Sequence, residues 1–195
     1  MRITSNGFLQ CLDMVTAASQ WKRKFRQLPY GRGIGIAGSC YISGTNYSIY
    51  PSEMPQSGVQ LQLDRSGRAT VFCGSSDIGQ GSDSVLAYIV AEELGLDLGD
   101  IRVVAADTDL TPVDLGSYSS RETFMTGNAC LDAAKQLRDK IAGVLAQHWN
   151  CAPSQVVLAQ GIACSTRDPQ RECMPVKHAL ALIGRRGWAA RREAA

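Results

Sequence analysis

The sequence has 195 residues, of which 45% are hydrophobic and 19% are charged, and its formal net charge is +2. This composition is typical of a globular protein that can bury one good core or two small ones. The small net charge gives no electrostatic case for a nucleic-acid or membrane partner. No apolar run reaches the roughly 18 residues that a membrane span needs.

The first part of the chain is predicted to contain one helix and several strands. Residues 5–27 place apolar side chains three or four positions apart and finish on a basic run, which is typical of an amphipathic helix. The glycine-rich stretch LPYGRGIGIAG ends this helix, and SCYISGTNYSIY, residues 39–50, is predicted to be a strand. Residues 59–64 and 68–73 alternate or run apolar around the turn RSGR, which predicts a hairpin.

The second part is predicted to be richer in helix. A helix over residues 82–95 ends at Gly95, and a buried strand follows at 101–106. A long polar connection then leads to a helix over 127–148, whose predicted core face consists of Ala129, Leu131, Leu137, Ile141, Val144 and Leu145. Further on, QVVLAQGIACS predicts a hairpin and MPVKHALALIG a short helix. Together these elements predict an α+β fold with a mixed sheet and packed helices.

Three regions are predicted along the chain. Residues 1–30 form an N-terminal helical segment, and residues 31–150 form the α+β domain. Residues 151–195 are a partial continuation with an arginine-rich tail, RRGWAARREAA, which suggests a truncated fold.

The seven cysteines include no C-x-x-C pair, and their number is odd. We therefore expect reduced, buried thiols in a cytoplasmic protein, and no zinc or iron–sulfur site within this chain. The two histidines, His148 and His178, are far apart and have no companion motif. Histidine-based metal or triad chemistry is not predicted.

Two motif matches are rejected on their context. Gly33, Gly35 and Gly38 fit the dinucleotide-binding pattern G-x-G-x-x-G, but a loop precedes them and a strand follows, where the motif requires a strand and then a helix. The stretch DTDLTPVD resembles a calcium loop, but it lacks the loop's glycine and contains a proline. Both stretches are interpreted as ordinary loops.

The stretch DIGQGSDS, residues 77–84, carries the strongest functional signal. Gly79 and Gly81 remove the side chains on both sides of Gln80, so that a ligand can approach the backbone, and Gln80 offers an amide. The N–H groups at the start of the following helix are unpaired donors near a positive dipole end. This arrangement predicts a cradle for a polar or anionic ligand such as a pyrophosphate or a pterin edge; the alternative is a helix start with ordinary caps. The donors at the helix start belong to Ser82, Asp83 and Ser84.

A second stretch, GSYSSRETFMTGNAC at residues 116–130, repeats this combination of features. It places glycine, serine and arginine in a loop, with a helix predicted to begin near Thr126, Gly127 and Asn128. Two such junctions in one small domain would converge on one anion.

The ordered set from GSSDIGQGSDS to RETFMTGNAC resembles the second molybdopterin-binding region of the xanthine dehydrogenase/aldehyde oxidase family. The stretch TPVDLGSYSSR, together with LPYGRGIGIAGSCYISG upstream, is most similar to the 4-hydroxybenzoyl-CoA reductase branch of that family. The resemblance covers about residues 5–150. It implies an oxidoreductase of aromatic degradation that reductively removes a ring hydroxyl from an aromatic acyl-CoA.

The resemblance also implies roles for particular residues. Gly79, Gln80 and Gly81 match the turn that hydrogen-bonds the cofactor, and Ser82 and Asp83 follow it. The loop that holds the cofactor near the metal is matched by Ser119, Ser120 and Arg121, whereas Gly44 and Thr45 fall where relatives have substrate-pocket residues. Glu122 departs from the family pattern and is unfavourable near an anionic cofactor unless it points away.

The resemblance implies a molybdenum–molybdopterin cofactor in its cytosine dinucleotide form. It places iron–sulfur clusters and FAD on partner subunits of a hetero-oligomer. The family's first cofactor-binding loop and its catalytic glutamate motif have no match in this sequence, so no catalytic residue is predicted and the chain alone is expected to be inactive. The alternative is an inactive fragment or a binding module.

Overall fold

The computed structural model describes residues 5–41 and 56–182. The chain forms two compact units, Met1–Tyr41 and Ile42–Ala195. In the first unit, α1 (Phe8–Ser19) and α2 (Trp21–Lys24) are separated by Gln20, whose left-handed backbone (φ 56°) ends α1. The single helix predicted over residues 5–27 is therefore wrong at Gln20, because a left-handed residue cannot continue a right-handed helix.

The second unit begins with the predicted hairpin, which the structure confirms. Strands β1 (Val59–Leu63) and β2 (Ala69–Cys73) pair antiparallel. The Asp64 carboxylate closes the turn by accepting hydrogen bonds from the Ser66 N–H (2.7 Å) and the Arg68 N–H (3.2 Å).

A helix and a third strand follow β2. Helix α3 (Ser82–Leu94) leads through a short 3₁₀ turn to β3 (Ile101–Ala105), which pairs parallel to β2. The sheet order is β1-β2-β3, so this sheet is mixed, as predicted. Because β2 and β3 are parallel, their carboxyl ends lie at one edge of the sheet, and a loop leaves each strand there toward a helix.

The second long helix begins earlier than predicted. Helix α4 spans Glu122–Trp149 instead of residues 127–148. Thr126, Gly127 and Asn128 therefore lie inside the helix and not at its start. Gly127 has a packing role, since a Cβ there would lie 3.3 Å from the Ile89 side chain of α3.

The remaining strands form a separate antiparallel sheet in the order β4-β5-β6. Strands β4 (Val156–Ala159) and β5 (Ile162–Ser165) confirm the predicted hairpin, and β6 is Cys173–Pro175. The predicted short helix exists over residues 176–182, but Met174 and Pro175 belong to β6 instead.

The cysteines differ from the prediction at one pair. Cys164 and Cys173 are directly opposite each other on β5 and β6, with Cα atoms 4.2 Å apart, and they form a disulfide. The expectation of reduced thiols is wrong for these two residues, because the strand register brings them together and no spacing motif shows it. Cys73 and Cys130 are buried free thiols, as predicted, whereas Cys11 and Cys40 are exposed.

One hydrophobic core joins the first sheet, both long helices and the second sheet. On α3 the buried side chains Leu86, Val90 and Leu94 recur every four residues, which is the period of one helix face. On α4 the predicted Ile141 and Leu145 are buried, but Cys130 and Ala134 take the core positions predicted for Ala129 and Leu131. Residues 151–182 contribute to the same core through Ala163, Val176 and Ala179.

These elements confirm the α+β fold class. Residues 42–50 of the predicted strand at 39–50 lie outside the described residues. Within the described residues, no helix is long and apolar enough to cross a membrane.

Candidate functional site

The two loops with the functional signal meet at the carboxyl edge of β2 and β3. The Ser117 Oγ lies 2.5 Å from the Ser76 carbonyl oxygen and accepts a hydrogen bond from the Ser76 N–H at 3.2 Å. A Cβ on Gly74 would collide with the Pro112 carbonyl oxygen, so a glycine is needed where the loops approach each other. This contact brings the start of α3 and the start of α4 to one edge of the sheet.

The start of α3 already holds a carboxylate, which the sequence analysis did not predict. Asp77 accepts hydrogen bonds from the N–H groups of Gly79 (2.8 Å), Gly81 (3.3 Å) and Asp83 (3.4 Å). The Gly79 N–H, followed by those of Gly81 and Asp83, holds the pKa of Asp77 below its usual value against the opposing effect of desolvation. The signal in the sequence was an aspartate two residues before a glycine, which is typical of an Asx turn.

Both glycines of this turn adopt backbone conformations that residues other than glycine rarely tolerate. Gly79 (φ 104°) and Gly81 (φ 80°) both have positive φ, and Gly81 is the N-cap of α3. A Cβ at either position would meet nothing within 4 Å among the described residues. The turn is therefore open on the side where a ligand would approach, and Gly79 and Gly81 are required by conformation rather than by crowding.

The Gln80 amide is bonded within its own loop. Its Oε1 accepts a hydrogen bond from the Ile78 N–H (2.6 Å), and its Nε2 donates to the Ser76 carbonyl (3.1 Å) and the Ser82 Oγ (3.0 Å). Both amide hydrogens are thus used, and one lone pair of Oε1 is left for a further donor. In this arrangement Gln80 shapes the turn.

Ser119 and Ser120 precede α4 in an unusual conformation. Both are left-handed, with φ values of 53° and 55°. A serine in this region costs about 1 kcal/mol or more, and such residues cluster at binding sites where the surrounding structure enforces them. Arg121 follows as the N-cap of α4 but provides no side-chain cap, so the first N–H groups of the helix face the loop edge.

Arg121 enforces this conformation from inside the protein. Its side chain is fully buried, and its Nη1 donates to Asp114 (2.8 Å) and to the Gly116 carbonyl (2.7 Å). Its Nη2 donates to the Ser57 Oγ (2.8 Å) and to the Gln56 carbonyl oxygen. The guanidinium is thus occupied by protein groups, and Nε is its one nitrogen without a partner among the described residues.

Asp114 is the anionic partner in this clamp, and its side chain is also fully buried. Burial alone would raise the pKa of Asp114, but hydrogen bonds from Ser57, the Gly116 N–H and Arg121 outweigh burial and hold the pKa below its usual value. Thr126 of α4 also donates to the Asp114 carboxylate at 3.0 Å. The clamp therefore connects the loop before β1, the loop before α4 and α4 itself.

Two carboxylates at this edge keep unpaired oxygens. Glu122 is only 7% exposed, and its Oε1 has no hydrogen-bond partner among the described residues; the same holds for the buried Oδ1 of Asp83. Burial, then the charges of Asp77 and Glu122, raise the pKa of Asp83. Glu122 was expected to be unfavourable near an anionic cofactor unless it pointed away; the structure buries it beside Ser117, with its Oε2 2.8 Å from the Ser117 hydroxyl.

Two further observations define what this edge contains. A cavity of about 390 Å³ lies beside the loops and is lined by Gly74, Ser76, Ala106, Thr108, Thr111, Pro112, Val113 and Asp114. Within the described part of the chain, no group of histidine, cysteine, aspartate and glutamate side chains could hold a metal ion. Gly44 and Thr45, the predicted substrate-pocket residues, lie outside the described residues.

Comparison with known proteins identifies relatives of this chain. Residues 11–189 match the family described as molybdopterin cofactor-binding domain. The chain is 30% identical over 182 residues to the xanthine dehydrogenase molybdenum-binding subunit of Escherichia coli O157:H7, covering 90% of this chain and 24% of the relative. It is 33% identical over 144 residues to subunit gamma of the 6-hydroxypseudooxynicotine dehydrogenase complex of Paenarthrobacter nicotinovorans, covering 73% of this chain and 17% of that subunit.

Solved structures share the fold. A crystal structure of the Cu,Mo-CO dehydrogenase in its carbon monoxide reduced state superposes with a TM-score of 0.59 at 24% identity, covering 64% of this chain and 16% of the other. The chain thus spans about a quarter or less of the length of these relatives. Since the family match extends over most of the sequence, the chain belongs to the family of molybdopterin cofactor-binding domains.

Proposed function

We propose that the edge formed by the starts of α3 and α4 binds the molybdenum–molybdopterin cofactor. In this proposal Gly79, Gln80 and Gly81, with Ser82 and Asp83, form one side of the cofactor site. The loop of Ser119, Ser120 and Arg121 forms the other side. The observation that supports it most is the convergence of two helix N-termini at the carboxyl edge of parallel strands, tied together through Ser76 and Ser117.

The residues present fit the anionic part of such a cofactor. The N-terminal turn of α3 stabilises the Asp77 carboxylate, which shows that this turn accepts negative charge. The start of α4 has no side-chain cap, and its dipole also favours an anion. The space beside Gly79 and Gly81 is open to a ligand.

The chain's own residues have distinct tasks in this proposal. The backbone N–H groups at the start of α4, which no side chain caps, bind anionic groups of the cofactor. At the start of α3 the N–H groups of Gly79, Gly81 and Asp83 are held by Asp77, and Gln80 keeps the turn in shape while offering one oxygen lone pair. Arg121 acts through the loop that it clamps, because its Nη atoms are bonded to protein groups. When bound, the cofactor supplies the redox chemistry of the metal.

We further propose the cytosine dinucleotide form of the cofactor and partner subunits that carry iron–sulfur clusters and FAD. The substrate class proposed is an aromatic acyl-CoA, as in 4-hydroxybenzoyl-CoA reductase, with Gly44 and Thr45 near the substrate. These points rest on the similarity of TPVDLGSYSSR and LPYGRGIGIAGSCYISG to that branch of the family.

The test is to produce the chain in a host that makes the cofactor and to purify it with the subunits that accompany it. We expect pterin fluorescence after oxidative release, together with molybdenum by elemental analysis, in proportion to the chain. A preparation with neither pterin nor molybdenum would contradict the proposal and would favour an inactive binding module. Turnover of 4-hydroxybenzoyl-CoA by the complex, compared with turnover of xanthine, tests the substrate class.

A further inference from the structure

The disulfide between Cys164 and Cys173 closes a hairpin that also has backbone hydrogen bonds of its own. The loop between β5 and β6 is bonded at its base, where the Ser165 N–H donates to the Glu172 carbonyl at 2.8 Å. It is bonded again inside, where the Glu172 N–H donates to the Asp168 carbonyl at 2.9 Å. These bonds hold the hairpin whether or not the two sulfurs are joined.

The two cysteines lie at a position of the strand pair where no backbone hydrogen bond joins them. In antiparallel strands, hydrogen-bonded residue pairs alternate with non-hydrogen-bonded pairs, whose side chains are closer. Ser165 and Glu172 form a hydrogen-bonded pair, so the next pair, Cys164 and Cys173, is a non-hydrogen-bonded one. Opening the disulfide therefore breaks no backbone hydrogen bond between β5 and β6.

The disulfide lies on the open face of the hairpin. Successive residues of a strand face opposite sides of the sheet. Ala163 and Ser165 of β5 are fully buried, whereas Cys164 between them is half-buried and Cys173 is exposed. A thiolate from solvent can thus reach the Cys173 sulfur. That sulfur lies 3.0 Å from the Pro169 carbonyl oxygen, which can accept a hydrogen bond from a thiol once the disulfide is open.

Arg167 anchors the β5–β6 loop to the end of α4. Its Nη1 donates to the Asn150 carbonyl (2.8 Å) and its Nη2 to the Trp149 carbonyl (2.7 Å). Carbonyls at the C-terminus of a helix lack partners within the helix and favour a cation. Arg167 also pairs with Glu172, the residue before Cys173. One side chain therefore ties the end of α4 to the strand that carries Cys173.

We propose that Cys164 and Cys173 form a reversible dithiol–disulfide site, and that Arg167 is the positioning residue that sets how readily the disulfide closes. With the loop anchored, the Cys173 thiol stays opposite the Cys164 thiol after reduction, so the two thiols meet at a high effective concentration. Without the anchor, β6 is held less firmly and closure becomes less favourable. By the same coupling, closure of the disulfide strengthens the attachment of the loop to α4.

The reaction partner is a dithiol or its disulfide, and the reaction is thiol–disulfide exchange. A thiolate of the dithiol attacks the Cys173 sulfur, the bond between the two protein sulfurs breaks, and Cys164 leaves as a thiolate that takes up a proton. The second thiol of the dithiol then displaces the Cys173 thiolate, which is protonated in turn. The protein gains two electrons and two protons, and the dithiol becomes a disulfide.

The test measures the equilibrium of the full chain with mixtures of reduced and oxidised dithiothreitol. Free thiols are trapped with a maleimide mass tag, and peptide mass spectrometry identifies which cysteines are joined. We expect the Cys164–Cys173 bond to open without denaturant and to form again when the oxidised reagent is restored. Far-ultraviolet circular dichroism should be the same in both states, because the backbone bonds of the hairpin remain.

Variants of the loop test the role of Arg167. Arg167→Met should lower the equilibrium constant for closure roughly fivefold; the effect is modest because the Arg167 side chain is 45% exposed and solvent screens its pair with Glu172. Arg167→Lys keeps the charge but not the forked donors, so its constant should lie between those of Arg167→Met and the wild type. Arg171→Met is the matched control, because Arg171 is exposed in the same loop and bonds to Asp168 through its backbone N–H. Its constant should stay within about twofold of the wild type.

Each outcome supports or overturns a part of the proposal. A Cys164–Cys173 bond that opens only in denaturant would be a permanent cross-link, and thiols that stay free in the oxidised reagent would form no site; either result would overturn the proposal. Equal constants for Arg167→Met and Arg171→Met would overturn the role of Arg167. Circular dichroism checks that each variant is folded, and Arg167→Lys carries the comparison if Arg167→Met is not.

Discussion

The buried clamp between Arg121 and Asp114 should be the most sensitive electrostatic feature of the fold. Replacing Arg121 by Met keeps much of the side-chain volume but leaves the Asp114 carboxylate buried without its cation. Removing one partner of a buried ion pair costs about 3–5 kcal/mol. Asp114 would retain the Gly116 N–H at 2.8 Å and Thr126 at 3.0 Å, so we expect the lower part of this range.

A double-mutant cycle separates the pair from its surroundings. Asp114→Asn leaves the Arg121 charge buried, whereas Arg121→Met combined with Asp114→Asn leaves no unpaired charge. The double variant should therefore lose less stability than the sum of the single variants, with a coupling of about 1–3 kcal/mol. The free energy of unfolding is measured by urea titration with far-ultraviolet circular dichroism.

The control is an ion pair of the same type at the surface. Arg68 lies 3.9 Å from Asp100, and the two side chains are 70% and 49% exposed. Arg68→Met should cost less than about 1 kcal/mol, because solvent screens exposed pairs. If Arg121→Met were as mild as Arg68→Met, or if the cycle were additive, the clamp would not hold the loop as we argue.

Three further changes test the fold around the site. Since hydrogen bonds lower the folded pKa of Asp114, its stabilisation is present above the unfolded value of about 3.9 and is lost as the pH falls through the lower folded value. Asp114→Asn should therefore flatten the loss of stability that urea titrations show as the pH falls below about 4. Gly95→Ala should lower the free energy of unfolding by about 2–4 kcal/mol in the same assay, because φ at Gly95 is +62° and a Cβ would lie 2.6 Å from a backbone oxygen of β4. Gly99→Ala is the control: a Cβ at Gly99 would meet nothing within 4 Å, so the free energy of unfolding should change by less than about 0.5 kcal/mol. Reduction of the Cys164–Cys173 disulfide should lower the free energy of unfolding by about 2–3 kcal/mol, because the unfolded chain regains the entropy of a loop with sequence separation 9. A chain with serine at both positions should not respond to reductant. An unchanged unfolding midpoint on reduction of the wild type would contradict this prediction.

The sequence predicted the regular elements well where a local pattern determines them. Alternating residues and a glycine turn predicted β1 and β2, and an apolar run that stops at Gly95 predicted α3. The start of α4 was placed too late, and in the structure no side chain caps the helix there. The helix instead begins after Arg121, whose buried side chain bonds to Asp114, 7 residues earlier, and to Ser57, 64 residues earlier.

The sequence indicated the two loops of the candidate site but not the hydrogen bonds that hold them. The turn around Gln80 was recognised from its glycines, whereas Asp77 was overlooked because its role depends on three backbone N–H groups that only the folded turn aligns. Arg121 was assigned to the loop that holds the cofactor, and that assignment stays a prediction; the sequence did not indicate that its Nη atoms are bonded to protein groups. Burial of Glu122 also depends on long-range packing, which no local pattern reports.

The most direct test of the account is cofactor content in a complete enzyme that carries this segment. The segment replaces the matching part of a molybdenum-binding subunit such as the xanthine dehydrogenase relative, and Gly81→Val is compared with Arg68→Gln. Gly81 has φ of 80° and faces open space, so a β-branched side chain strains the turn and fills the space beside it that the proposal gives to the cofactor. Arg68 lies in the hairpin turn, with its side chain 70% exposed.

We expect Gly81→Val to lower the molybdopterin and molybdenum content roughly tenfold. This is the effect of losing about one hydrogen bond to a charged group. Iron and flavin content should stay unchanged, and Arg68→Gln should retain all of these groups. Full molybdopterin content in the Gly81→Val enzyme would contradict the claim that the start of α3 binds the cofactor.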